Sequence, residues 1–290
     1  MLVSILVPLY NVERYVEQCA RSLFEQSYQR CEYIFVDDCS TDCSAAIIDS
    51  LVAKEYAELE GRVKIVRHSR NMGVNTSRAM ALSHANGDYV IFVDGDDFVD
   101  RQMVTTLVGS CGNGTLDIVS SGYVNYSSES HCEFKHSRWI GDASHSMQVV
   151  LTQSFAISNH IWGKLFKREL FAGETILFDP TLHLGEDMVL LVQLLNRADR
   201  IGYVDEYLYY YRQNVSGSLT QNLNHGARFN YLRSIVTANK LVGVEINNSK
   251  IFALQRLNIK RWLLKRSTQR NHPLTYLFRV YCYLANRFFL

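Results

Sequence analysis

The chain has 290 residues, 47% of them apolar and 12% aromatic, with only three prolines; that excludes disorder and suffices for one or two domains with full cores. Its formal charge of +1 conceals an uneven layout. Nine of the 30 basic residues and none of the 29 acidic ones lie beyond Glu245, so residues 1–245 hold 21 bases against 29 acids and carry −8. Seven scattered cysteines without a C-x-x-C pair argue against a disulfide framework or a zinc centre. No stretch is apolar for long enough to span a bilayer. The first residues lack a basic leader and run straight into a strand, so no signal peptide is expected there.

Val3 to Val7 is an apolar strand closed by Pro8. Val12, Tyr15, Val16, Cys19, Leu23 and Phe24 then recur at helical spacing over 12–26. Tyr33 to Val36 is a second strand ending in Asp37-Asp38, and Ser40 or Thr41 is placed to cap a helix reaching about Leu59. Val63 to Val66 is a third strand, Met72 to Ala85 a third helix, and Tyr89 to Val93 a short buried strand. Such alternation predicts an α/β fold, a mostly parallel sheet covered by helices, with ligands at the carboxyl ends of its strands. Those ends carry Pro8-Leu-Tyr10-Asn11, Asp37 to Asp42, Arg67-His68 and Asp94-Gly-Asp96-Asp97.

The last of these sets three carboxylates within four positions. Like charges this close repel unless solvent or a cation screens them. Two readings follow: a solvated acidic turn, or a site for a hard divalent metal held by one or two carboxylates and substrate phosphate. Beyond Asp100 the rhythm changes. A helix near 101–110 precedes strand-like runs at Asp117 to Tyr126 and Glu133 to Ile140. Residues 185–198 form an amphipathic helix with Glu186 and Asp187 in its first turn, where carboxylates also simply favour the helix dipole. A tyrosine-rich strand, Tyr203 to Arg212, follows, and from about Ala227 the pattern is helical. The nine histidines form no ligand cluster and read as surface or packing residues; His183, four before Asp187, is the one to watch.

In order, Val3 to Asn11, Val36 to Asp42, Asn71-Met-Gly73, Ser77-Arg78, Asp88 to Asp97, Ile161-Trp-Gly-Lys-Leu165 and Gly185-Glu-Asp187 resemble the family 2 inverting glycosyltransferases of bacterial capsule, exopolysaccharide and lipopolysaccharide synthesis. The resemblance covers about residues 2–220. It implies a GT-A fold: a nucleotide-sugar-binding half over 1–100, an acceptor-binding half over 101–225, and a basic helical extension over 226–290. The implied reaction moves a hexose or N-acetylhexosamine from a UDP-sugar to a hydroxyl of a glycan or lipid-linked oligosaccharide, with Mn²⁺ or Mg²⁺ as cofactor.

Position by position, the resemblance puts Pro8 and Tyr10 at the uracil and ribose, with Asp38 bonding the base. Arg78 falls in the segment facing the nucleotide or diphosphate. Asp96 is the implied metal ligand; Asp94 faces the ribose or the metal and its waters. Asp187 is the implied general base. Trp162 and Lys164 match a motif near the sugar pocket, and Arg212 lies near the donor phosphates. Cys39 stands where the family usually has glycine, so cysteine is strained there if the position needs a positive φ. Ala79 replaces a frequent asparagine.

Residues 250–290 combine nine bases with many aromatics, as in helices that lie on anionic bilayers. Peripheral attachment to the cytoplasmic face of the inner membrane is therefore expected, with packing on the catalytic domain as the other reading; nucleic-acid binding fits poorly. Two other readings of the body remain. One is a sugar nucleotidyltransferase, which would want a glycine-rich basic loop after the first strand. The other is an inactive sugar-binding or assembly partner of the same fold.

Overall fold

The computed structural model describes residues 1–128, 131–135, 158–173, 178–213 and 215, with helical positions at 230, 233–234, 237–238 and 241. One nine-stranded sheet runs through them. Its strands are β1 (Val3–Leu9), β2 (Cys31–Asp37), β3 (Val63–Arg67), β4 (Tyr89–Phe92), β5 (Phe98–Val99), β6 (Ile118–Ser128), β7 (His131–Lys135), β8 (Lys164–Lys167) and β9 (Ile201–Arg212). The spatial order is β3-β2-β1-β4-β8-β6-β9-β5, with β7 beside β6.

The predicted parallel arrangement holds for the first hundred residues, where β3, β2, β1 and β4 run side by side in one direction. Past β4 the sheet is mixed: β8 is antiparallel to β4 and β6, β9 is parallel to β6, and β5 is antiparallel to β9. Side chains alternate along the inner strands, as period-two geometry requires. Val3, Ile5, Val7 and Leu9 pack under α1 (Val16–Phe24), α2 (Ser44–Glu55) and α4 (Met103–Gly109). Leu6 and Phe92 face the opposite layer, α3 (Val74–Ser83) and α5 (Glu186–Arg197). Two cores thus sandwich the sheet.

Two expectations need correction, and a third is met only in part. Pro8 does not close the first strand but lies within it, opposite Val36 of β2. Leu6 accepts from Val93 on the β4 side, and Pro8, two residues on, turns its missing donor to that same side, beyond the last β1–β4 pair at Leu6↔Phe92. Neither Ser40 nor Thr41 caps α2; the helix starts at Ser44, whose N–H donates to Asp42 Oδ1 at 3.0 Å. The strand expected over Glu133 to Ile140 is β7 as far as Lys135, and its remainder lies outside the described residues. So does most of the expected helical extension, including all of 250–290.

Candidate active site

The acidic loop leaves β4 and turns back into β5. Gly95 sits at its crest, where a Cβ would lie 2.7 Å from Leu9 Cδ2 and 3.0 Å from the Pro8 carbonyl, so any side chain there would have to push the buried Leu9 aside. The three carboxylates do different work. Asp97 is fully buried and accepts from the Tyr209 hydroxyl and the Arg212 N–H, each at 2.7 Å. Burial pushes its pKa well up, with Asp96 and Asp94 adding to the effect. Asp94 turns towards Arg78, and its own N–H donates to the Tyr209 oxygen at 3.1 Å. Asp96 has no side-chain donor among the described residues, and burial followed by the charge of Asp94 pushes its pKa up to about 6.

A bound cation would offset both effects on Asp96. No group of three or more His, Cys, Asp or Glu side chains gathers as a cage among the described residues. The donor set therefore fits a hard divalent ion that takes one or two carboxylates from protein and the rest of its shell from phosphate and water.

Arg78 projects from α3 and is 2% exposed. Its guanidinium donates to Asp187 Oδ1 at 2.6 Å and to Asp94 Oδ1 at 3.0 Å, and stands 3.8 Å from Glu186. Burial works against its charge, but the three carboxylates outweigh this and raise its pKa. The resemblance put Arg78 in the segment facing the nucleotide or diphosphate; in the structure its guanidinium ties the acidic loop to the start of α5. Asp187, in the first turn of that helix, also accepts the Ile161 N–H on Oδ2 at 3.2 Å. Its neighbour Glu186 is pushed up to about 7, first by burial and then by Asp187.

Behind Asp187 the segment 158–163 is fixed from below by Lys164. This lysine is 1% exposed and donates to the His160 carbonyl at 2.7 Å and the Trp162 carbonyl at 3.4 Å. Burial lowers its pKa to about 7, with Asp187 opposing. Trp162 is likewise buried, stacked on Tyr209 at 4.3 Å. Both residues therefore shape the pocket from behind.

Arg212 belongs to the acidic loop's support. Its Nε donates to the Asp96 carbonyl at 2.8 Å and its Nη2 to Gln18 at 2.6 Å, while the guanidinium lies 5.0 to 5.5 Å from the rings of Tyr15, Phe98 and Tyr126.

At the far end of the cleft, Pro8 is buried in β1 and Tyr10 is 48% exposed, an open ring suited to stacking. Asp38 is engaged already: its oxygens accept from the Met72 and Gly73 N–H groups at 2.7 and 2.8 Å, with His68 Nδ1 at 2.8 Å. Cys39 has φ +62, the left-handed conformation that glycine adopts freely.

Sequence reasoning missed His160 and Tyr209. His160 is two positions before Trp162, a spacing that places both on one side of an extended segment, and that was the available signal. His183 is exposed, and its backbone N–H donates to the Asn230 side chain.

Residues 4–174 match the family described as Glycosyl transferase family 2. An uncharacterized glycosyltransferase of Bacillus subtilis strain 168, EpsJ, is 33% identical over 224 residues; the match covers 76% of this chain and 63% of EpsJ, less than two thirds of its length. Among solved structures, residues 1–349 of Staphylococcus aureus TarS in complex with UDP-GlcNAc superpose with a TM-score of 0.68 at 22% identity, covering 86% of this chain and 67% of that one. Glucosyl-3-phosphoglycerate synthase of Mycobacterium tuberculosis, with Mn²⁺, UDP and glucosyl-3-phosphoglycerate, gives 0.56 at 17% identity, covering 85% and 81%. The shared fold is GT-A.

Proposed function

The chain belongs to glycosyl transferase family 2, and from that footing we propose that it moves a hexose or N-acetylhexosamine from a UDP-sugar to a hydroxyl of a bacterial surface glycan, inverting the anomeric centre. One observation carries the proposal. Arg78 bonds both Asp94 of the acidic loop and Asp187 of α5, so the donor's charge-handling loop and a candidate base face the same cleft.

Asp96, seconded by Asp94, would hold Mn²⁺ or Mg²⁺. The metal would supply Lewis-acid stabilisation of the departing diphosphate. Tyr10 stacks on the base, with Pro8 shaping the turn beneath it. Asp38 fixes the backbone at Met72 and Gly73, so that α3 begins at the right place and Arg78 reaches the cleft. Asp187 accepts the acceptor hydroxyl's proton as the new bond forms. Its Oδ1 is held by Arg78 and its Oδ2 by one N–H, which leaves Oδ2 a free acceptor position. Direct attack opposite the leaving group inverts the configuration, so an α-linked donor gives a β-linkage.

The place of a nucleotidyltransferase's glycine-rich loop is held here by Tyr10 and Asn11; the Asn11 N–H donates to Ser40 and its Oδ1 accepts from Thr41. No helix among the described residues is long and apolar enough to cross a membrane. The basic stretch 250–290 supports attachment to an anionic cytoplasmic membrane face, which would place the site beside a lipid-linked acceptor. A chain ending at residue 245 is then expected to lose flotation with anionic vesicles; unchanged flotation by the folded truncation would sink that part.

The test of the activity is a titration of UDP-, GDP-, CMP- and dTDP-sugars with Mn²⁺, Mg²⁺ or EDTA. One UDP-sugar should bind with metal. Asp96→Ala should lose that binding, and Asp187→Asn should bind without turnover. If no nucleotide sugar binds, the proposal is wrong.

A further inference from the structure

We propose that the aromatic stack beside Asp187 is the acceptor's sugar-binding platform, and that a pyranose ring of the acceptor lies against the imidazole of His160. The inference rests on the transferase reading above and names a surface for its second substrate.

The stack is built from both halves of the mixed sheet region. Alternation along β9 puts Tyr209 and Tyr211 on one face. Trp162 lies over Tyr209, its centroid 4.3 Å away with planes 9° apart, and Tyr211 flanks the stack, 5.2 Å from Trp162 and 5.8 Å from His160. His160 stacks on Trp162 at the same 4.3 Å and 9°. His160 and Tyr209 make no ring contact with each other, so they occupy opposite faces of the indole. Tyr123 closes the edge, nearly perpendicular to both Trp162 and His160.

The stack ends in the cleft. Trp162 is 2% exposed, whereas the His160 side chain keeps 39% of its surface open. That side chain faces the base: Nδ1 is 4.0 Å from Asp187 Oδ2, beyond hydrogen-bond reach. A pyranose needs what this corner offers, namely an aromatic face for its C–H surface and acceptors for the hydroxyls at its rim. A sugar on the imidazole brings a rim hydroxyl towards the free acceptor position of Oδ2.

The platform is also rigid with respect to the base. The Lys164 Nζ donates to the His160 carbonyl, the His160 N–H donates to Ser158 Oγ at 3.3 Å, and the Ile161 N–H bonds Asp187 itself. Holding the reacting hydroxyl and its base in one frame is the arrangement that turns binding into rate. The protein surrounding the ring lowers the His160 pKa to about 4 despite its open face, desolvation outweighing the attraction of Asp187. The imidazole is therefore neutral at pH 7 and suited to stacking.

The test uses p-nitrophenyl glycosides as acceptors with the UDP-sugar identified above, comparing wild type, His160→Ala and His160→Phe. The expected result is a rise of about tenfold in the acceptor KM of His160→Ala, as for loss of one ring stack. His160→Phe should restore the acceptor KM to near wild type, while the donor KM stays level across the series. Saturation-transfer NMR on the enzyme with UDP and diamagnetic Mg²⁺ should also show glycoside C–H protons against the protein, weakened in His160→Ala. Equal acceptor KM values in all three proteins, or no glycoside signal in the wild type, would overturn the platform and leave the transferase reading standing. Absence of donor binding in the wild type would remove both.

Discussion

Arg78 keeps its charge in a place with almost no water because three carboxylates surround it. Removing one partner of such a buried set leaves unneutralised charge behind, at a cost of about 3–5 kcal/mol. Arg78→Met is therefore expected to lower the unfolding free energy by that amount in urea titrations, and adding Asp187→Asn should recover part of it. Cys39 makes the opposite case. At φ +62 an L-residue with a Cβ is strained by about 1–2 kcal/mol, while glycine costs about 0.5–1 kcal/mol more backbone entropy on folding. Cys39→Gly should therefore raise stability by about 0.5 kcal/mol; an unchanged or lowered urea midpoint would contradict the strain. The departure from glycine at this position was visible in the sequence. Its physical consequence needed the backbone angle.

At the scale of elements, β9 does more than its tyrosine-rich alternation suggested. It sends Tyr209 and the Arg212 N–H to Asp97 and thereby holds the acidic loop in shape. Tyr209→Phe keeps the ring on Trp162 but strips Asp97 of a donor. The expected loss is about 1–3 kcal/mol of stability, together with weaker UDP·Mn²⁺ affinity in calorimetry. The segment ahead of β8 depends in turn on Lys164. Because its folded pKa of about 7 lies below the ordinary lysine value near 10, the unfolded chain binds the extra proton between those limits. Stability should thus rise with pH across that window relative to Lys164→Met, and parallel pH profiles of the two proteins would refute the shift.

These long-range ties mark where the sequence stopped being informative. The alternation of strands and helices before Asp100 gave β1 to β4 and α1 to α3 within a few residues, since each is specified by its own apolar spacing. β5 and β8 were missed because two and four residues carry no readable period. The acidic loop and Asp187 were legible as motifs, and the structure brings them together through Arg78. Which carboxylate stays open was not legible, because Asp97 is taken by donors more than a hundred positions away and Asp94 by Arg78 of a neighbouring helix.

Across the whole molecule, the parallel half presents Tyr10, Asp38 and the acidic loop, and the mixed half supplies Asp187 and the aromatic stack. A ligand that binds the folded cleft alone stabilises everything that builds it. UDP with Mn²⁺ at a hundredfold excess over its Kd should add about 2.7 kcal/mol to the unfolding free energy, and EDTA or Asp96→Ala should abolish most of that gain. The sheet order also has a bearing on how the protein is made. Asp97 emerges from the ribosome 112 residues before Tyr209, roughly 5–20 s earlier at ordinary elongation rates. During that interval strands β1 to β4 can already pair, but the loop lacks the hydroxyl and the N–H that close it. A nascent chain halted before β9 would therefore carry a nearly finished parallel half with an acidic mouth held open to water, and the last described strand to be translated is the one that shuts it.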